Sequence, residues 1–389
     1  MSKEKTNKNI KAFAWAAFLN DFGAEMIYPI WPIFVTTVLG APMSALGLID
    51  GLGDAMVSIS QAVSGYISDR IRKRKVFIWL GYFFGGLSRI GYAFSTVWQM
   101  LIPFRILDRA GKIRGAPRDA MVADLSTHEN RGRSFGILRM MDNLGGVTGI
   151  CFTILLVNYL GLKTLFLIAA VPSAIAIFII LFFVKEKPDG NIKIFKGLRL
   201  SDLNKNLRLF FFLSTIFSLG TFSYSFLLIF AKGLGFRVAM IPVFYLVFSA
   251  VASISSLPFG ILSDRIGRKS VLQLAFLFWG LVCVTLILLN SLASVFAAFV
   301  FYGLHKGSLD TVQKAFVAEL SPKDYRASVL GGFQMVIGLA ALPASLLAGF
   351  LWDFWSPSTP FFLSLGLTAF AAILLSFVKE TGHMNCIGE

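Results

Sequence analysis

Long apolar runs alternate with short polar segments along the whole chain. Crossing about 30 Å of hydrocarbon takes roughly 20 apolar residues in a helix. Twelve runs reach that length: 12–38, 44–68, 75–95, 97–117, 134–158, 163–184, 208–231, 239–262, 270–290, 293–317, 327–352 and 359–378. A backbone in lipid must satisfy its own hydrogen bonds, so each run is expected to be a helix. The pattern predicts an all-α polytopic membrane protein of twelve transmembrane helices.

The polar segments are unequal. Those on one side are basic: Lys3 to Lys11, Arg70 to Lys75, Arg131 with Arg133, Lys185 to Arg208, Arg265 to Lys269, and Lys379. The opposite loops hold little beyond Lys163, Lys232, Arg237 and Asp353. Basic loops stay on the cytoplasmic side, so both termini are expected there, in a plasma-membrane protein. The connection 185–208 is the longest and splits the spans six and six. It sets the expected organisation: an amino-terminal bundle 1–184, a cytoplasmic linker 185–207 and a carboxyl-terminal bundle 208–389. Asp189-Gly190-Asn191 is turn chemistry. Beyond it, Ile194, Phe195 and Leu198 fit a short surface helix or a plain tether. The basic start could mimic a signal peptide, but the run behind it is long and holds Asp21 and Glu25, so it is taken as the first span.

Composition agrees with lipid as the solvent: of 389 residues 56% are hydrophobic and 40 are Phe, against about 45–50% apolar in soluble domains. The net charge of +15 sits in the short loops, which argues against a nucleic-acid partner. Cys151, Cys283 and Cys386 are scattered and make no metal-ligand spacing with His128, His305 or His383. There is no P-loop, no G-x-S-x-G elbow and no H-E-x-x-H. An enzyme and a bound cofactor are not expected.

An internal repeat orders the spans. Gly65-Tyr-Ile-Ser-Asp-Arg-Ile-Arg-Lys-Arg-Lys returns as Gly260-Ile-Leu-Ser-Asp-Arg-Ile-Gly-Arg-Lys-Ser, 195 positions on. The same displacement carries Ala123-Asp124-Leu125-Ser126 onto Ala318-Glu319-Leu320-Ser321, Arg131 onto Arg326 and Gly136 onto Gly331. The halves are therefore parallel repeats.

On these residues the chain resembles the major facilitator superfamily over nearly its whole length. The family's signature between spans 2 and 3 is G-x-x-x-D-R-x-G-R-[RK]. Gly260 to Lys269 matches it fully; in the first copy Arg72 stands at the inner glycine. Arg105-x-x-Asp108-Arg109-x-Gly111 is similar to the span-4 motif R-x-x-Q-G-x-G, with Asp and Arg replacing Gln and Gly. Asn20 to Pro29 and Lys112 to Ala120 also look like a poorly characterised prokaryotic branch, related to drug:proton antiporters. The resemblance implies two pseudo-symmetric six-helix bundles around a central cavity, in a monomer. It also implies a cytoplasmic gate from Gly65, Asp69, Arg70, Arg118, Asp124, Arg131, Gly260, Asp264, Arg265, Arg268, Glu319 and Arg326.

Charge inside the apolar runs marks the candidate chemistry. The stretch 105–124 carries Arg105, Asp108, Arg109, Lys112, Arg114, Arg118, Asp119 and Asp124. One charge at a helix centre costs roughly 2.5–3.5 kcal/mol on insertion scales, so such groups pair or face water. Asp108 and Lys112 stand i,i+4 with the acid first, the favourable order, and Arg105 and Arg109 share that spacing. Asp21 and Glu25 lie one turn apart on span 1, as do Asp50 and Asp54 on span 2; Asp142 follows Arg139 on span 5, and Arg89 is on span 3. The repeat places Ile216, Gly220, Gly303 and Leu304 at the positions of Asp21, Glu25, Asp108 and Arg109, so charge gathers in the first half.

Proton coupling needs a carboxylate that desolvation protonates and an approaching cation deprotonates. Glu25 or Asp21 beside Arg105 or Arg109 would serve; a permanent ionic clamp across spans 1, 2 and 4 is the other reading. Tyr224, Tyr245, His305, Lys306 and Asp310 are weaker cavity candidates in the second half. Gly145-Gly-Val-Thr-Gly149-Ile150 is similar to an exporter motif ending in proline and also fits close helix packing. The expected function is secondary transport of a small organic solute, with proton-coupled export first. Uptake of an organic anion or metal chelate, and a non-transporting sensor, stand as alternatives.

Overall fold

The structure is a computed structural model that describes residues 3–71, 73–125, 131–184, 186, 204–288, 291–321 and 326–380. Among the described residues every regular element is helical. Eight stretches of them are long and apolar enough to cross a membrane: 134–160, 162–183, 205–233, 238–266, 268–288, 292–320, 329–354 and 359–376. The other expected spans also form helices, α1 (Lys3–Ile27), α2 (Met43–Ile71), α3 (Arg74–Phe94) and α4 (Leu101–Ala110). Of these, α1, α2 and α3 carry charges in their interiors, and α4 has only ten residues.

The chain divides into two compact units. The first holds Met1–Ala41, Leu52–Phe195 and Val238–Pro242; the second holds Pro42–Gly51, Lys196–Arg237 and Val243–Glu389.

In the first unit α4 runs through a 3₁₀ turn, Gly111–Arg114, into α5 (Gly115–Leu125), followed by α6 (Arg131–Leu160) and α7 (Leu162–Phe183). Here α1 packs on α6 and α7, and α3 packs on α7 and α4. Small residues permit this. A Cβ at Gly145 or Gly149 of α6 would lie 2.3 or 2.2 Å from the carbonyl oxygens of Phe18 and Phe22, so only glycine admits α1 that close. Gly81 and Gly111 bring α3 and the 3₁₀ turn together in the same way: a Cβ on either would meet the other's oxygen at 2.5 or 2.7 Å. Phe13, Ala16, Ile78, Tyr82, Val122, Leu138 and Ile180 form the apolar centre.

In the second unit the run expected as one span at 208–231 is two helices, α8 (Lys205–Gly220) and α9 (Tyr224–Gly233). The break at Thr221 to Ser223 has extended backbone, with Ser223 as the N-cap of α9. The freed carbonyl of Gly220 accepts from Ser364 Oγ, which in turn accepts from Trp279 Nε1 at 2.7 Å. The rest is α10 (Ile241–Ile266), α11 (Arg268–Leu288), α12 (Leu292–Leu320), α13 (Arg326–Phe354) and α14 (Thr359–Ser376). Stacked rings fill its centre, Phe217 on Phe276 at 4.1 Å among them.

Candidate functional site: the charged core of the first unit

The amphipathic turn pattern of α4 and the 3₁₀ turn carries a row of arginines into the first unit, and each meets an aromatic ring. The Arg105 guanidinium lies 4.4 Å from the Trp31 ring centre, Arg109 4.8 Å from Tyr28 and Arg114 5.1 Å from Tyr82. Arg105 is only 1% exposed. A desolvated cation on a ring face gains about 2 kcal/mol, which offsets much of its insertion cost. Arg109 also donates from Nη1 to the Tyr28 hydroxyl at 3.1 Å. Space for these stems comes from α2: a Cβ on Gly53 would touch Arg109 Cγ at 3.1 Å and Arg105 Nε at 3.3 Å.

The acids complete the row. Asp108 pairs with its neighbour Arg109 at 3.8 Å. Lys112, four residues after Asp108, lies in the 3₁₀ turn. Asp21 accepts from Asn20 Nδ2 at 2.9 Å and pairs with Arg114 at 3.8 Å. Glu25 is half-buried on α1, with its stem 3.3 Å from where a Cβ of Gly146 would be. Asp54 is half-buried on α2.

Towards the basic-loop end, Arg118 grips Asp142 with both terminal nitrogens, at 3.3 and 3.5 Å. Asp119 and Arg139 close a ring: Arg118 to Asp119 at 3.2 Å, Arg139 to Asp119 and to Asp142 at 3.6 Å each. Arg118 and Asp142 are buried while Arg139 is exposed.

Arg89, buried on α3, is held by neutral groups. It donates to the carbonyls of Ala169 (2.8 Å) and Asn20 (3.1 Å) and to Ser173 Oγ (2.5 Å). That arrangement stitches α1, α3 and α7 together.

In the second unit His305 is buried among Phe217, Trp279 and Tyr302, with Nδ1 2.8 Å from the Ala275 carbonyl. Tyr224 and Tyr245 meet edge to face at 5.2 Å. Lys306 is half-buried and Asp310 exposed.

The sequence profile described as Major Facilitator Superfamily matches residues 13–257 and 210–386. The chain belongs to this superfamily. An uncharacterized MFS-type transporter of Methanocaldococcus jannaschii is 38% identical over 382 residues, 96% of this chain and 95% of that one. Among solved structures, the nucleoside transporter NupG superposes with a TM-score of 0.82 at 14% identity, covering 95% of this chain and 100% of that one. A bacterial homolog of the human lysosomal transporter Spinster, inward-facing and occupied, gives 0.76 at 14% identity, covering 97% of each. At such identity the likeness to the two structures is one of fold.

The superfamily's loop motif is built twice here, once in each unit. In the second copy Gly267 turns the chain at φ 95°, and the Arg268 N–H donates to Glu380 at 2.5 Å. Arg268 Nη1 pairs with Glu319 at 3.0 Å, its Nη2 lies 3.9 Å from exposed Asp264, and Lys269 Nζ reaches the Ser376 carbonyl at 2.6 Å. In the first copy Arg74 N–H donates to Glu186, the Arg74 side chain pairs with Asp124, and Lys75 Nζ reaches the Leu181 carbonyl at 2.8 Å.

Arg74 thus plays the part of Arg268, a displacement of 194 rather than 195. The first loop has one residue more, where the second relies on a left-handed glycine. Gly260 approaches Thr311 of α12, and Arg265 is exposed. The side chains of Gly65, Asp69, Arg70, Arg131 and Arg326 lie outside the described residues, as does most of the linker 185–207.

Sequence reasoning missed the ring partners Tyr28, Trp31 and Tyr82, and the spacer Gly53. It also missed Glu186 and Glu380, though Phe183-Val184-Lys185-Glu186 and Phe377-Val378-Lys379-Glu380 are a repeat in plain view.

Proposed function

We propose that this chain is a secondary active transporter that exports a small organic solute by alternating access, driven by inward proton flow. Twelve spans, a monomeric state, cytosolic termini and a plasma-membrane location belong to this reading. The observation that carries it is the row of buried and half-buried cations and acids along α1, α4, α5 and α6. Five cations, Arg105, Arg109, Lys112, Arg114 and Arg118, follow one another along 14 residues beside Asp21, Glu25, Asp108 and Asp142. A fold that needed only packing would not retain so many groups that cost free energy in lipid. The repeat-related positions of Asp21, Glu25, Asp108 and Arg109 are Ile216, Gly220, Gly303 and Leu304, so the architecture itself makes no demand for charge there.

In this reading Glu25, assisted by Asp21, exchanges the proton. The arginines hold the carboxylates ionised in one state, and solute or solvent takes over that role in the other. Asp54, Asp108 and Asp142 are the next carboxylates to consider, and Arg139 serves the proton's exit.

The arginine–aromatic stacks favour a second reading, uptake of an organic anion. A guanidinium with one face on a ring presents its N–H edge to a planar carboxylate. Purified protein in liposomes separates the two. With ethidium, benzoate and uridine as probes, export by proton exchange predicts accumulation of a probe in vesicles with an acidic lumen. Anion uptake with protons predicts accumulation of benzoate in vesicles with an alkaline lumen, beyond the level of protein-free vesicles. No flux of any probe under either gradient would contradict both.

A further inference from the structure

A buried guanidinium in the first unit sits among neutral groups. Arg89 is 2% exposed, and among the described residues its hydrogen bonds go to the Ala169 carbonyl, to Ser173 Oγ and to both oxygens of Asn20. Gly23 of α1 makes the room, since a Cβ there would lie 2.4 Å from Arg89 Nη1. The fold does not ask for this charge. Helices α3 and α11 each have 21 residues, from Arg74 and from Arg268, so a displacement of 194 relates them and puts Cys283 at the position of Arg89. Cys283 is buried too, and its Sγ lies 3.7 Å from Ser364 Oγ of α14, as Arg89 meets Ser173 of α7. The second unit thus makes the like junction with a neutral side chain.

Asn20 passes the extra charge on. A guanidinium only donates and a carboxylate only accepts. Asn20, 1% exposed, stands between the two, with Oδ1 3.5 Å from Arg89 Nη2 and Nδ2 donating to Asp21 Oδ1 at 2.9 Å. Both neighbours dictate the same orientation of its amide. A cation at the oxygen also polarises the amide and strengthens the N–H at the other end. On its far side Asp21 faces Arg114 at 3.8 Å, which is itself fixed by the Tyr82 ring and the Gly111 carbonyl. Further charges acting on Asp21 are Lys112 from the 3₁₀ turn, Arg118 from α5 and Asp142 from α6.

We propose that Arg89, acting through Asn20, is a positioning residue that keeps Asp21 a fixed anion. Hydrogen bonds to the charged form of a carboxyl favour that form. The two acids of α1 then divide the work: Asp21 supplies constant negative charge, and the exchangeable proton is left to Glu25. The share given to Glu25 rests on the transport reading above; the assignment of Arg89, Asn20 and Asp21 does not.

The test needs neither solute nor proton gradient, so its failure is separate from any failure of the transport reading. Dicyclohexylcarbodiimide enters the bilayer and adds to a carboxyl only in its protonated form. Purified full-length protein in liposomes is treated with it at neutral pH and digested, and label at Asp21 is measured by mass spectrometry. Label at Glu25 is scored apart, because it bears on the coupling proton alone. In the wild type Asp21 should label slowly. Arg89→Met and Asn20→Ala should each speed its labelling about tenfold, equivalent to one charge-assisted hydrogen bond. Ser173→Ala is the control: it takes a hydrogen bond from the same junction but leaves Asn20 facing Arg89, so Asp21 should label at the wild-type rate. Should Arg89→Met fail to fold, Asn20→Ala carries the test. Asp21 labelling at the wild-type rate in the monodisperse variants would overturn the proposal, as would Ser173→Ala labelling as fast as Asn20→Ala.

Discussion

The backbone N–H of Arg268 donates to the carboxylate of Glu380, and in the first unit Arg74 stands in the same relation to Glu186. Glu186 follows α7 and caps the start of α3, and Glu380 follows α14 and caps the start of α11. A carboxylate at a helix N-terminus is worth up to about 2 kcal/mol. Glu380→Gln and Glu186→Gln keep an acceptor and lose the charge, so each should lower the unfolding temperature by about 2–4 °C. Fluorescence-detected gel filtration after heating reads this directly. An unchanged midpoint in both variants would mean the caps contribute nothing.

Arg118 and Asp142 are buried together with two contacts between them. Removing one partner leaves an uncompensated charge, at a cost of about 3–5 kcal/mol. Asp142→Asn and Arg118→Met should each reduce the yield of monodisperse protein severalfold. The double variant should recover most of it, because no lone charge remains. A double variant worse than either single would show that the ring with Asp119 and Arg139, rather than the pair, is the unit.

The glycines of α6 offer a control on the same helix. Gly149→Ala drives a Cβ into the Phe22 carbonyl, whereas Gly136→Ala meets nothing within 4 Å. The first should destabilise, prising α1 from α6. The second should be neutral, or stabilising by roughly 0.5–1 kcal/mol through helix propensity. Thermal midpoints of the two variants check the pair, and equal shifts would contradict the seam.

Much of the fold was legible because lipid enforces it. Apolar length fixed the helices, and the repeat of Asp69 at Asp264 related the two loop motifs. Two local departures were not legible. The break between Gly220 and Tyr224 lies inside an unbroken apolar run, since it is stabilised by Ser364 and Asp50, far away in sequence. The 3₁₀ turn at Gly111–Arg114 lies where α3 approaches backbone to backbone at Gly81.

The site was legible as a set of charges, while the aromatic partners of its arginines were not. Besides the charges, the structure stacks Arg105 on Trp31 and Arg109 on Tyr28, and sets Asp21 beside Arg114 and Asn20. Helical spacing tells which residues share a face, but partners across helices depend on depth and on where glycines let helices touch.

The central claim is that Glu25 carries the coupling proton. The direct measurement compares wild type and Glu25→Gln in liposomes, using whichever of ethidium, benzoate or uridine the wild type accumulates. With an acidic lumen, wild type should concentrate the probe. Glu25→Gln should lose that accumulation at least about tenfold while still exchanging labelled for unlabelled probe at equal pH. Accumulation by Glu25→Gln at the wild-type level would contradict the account.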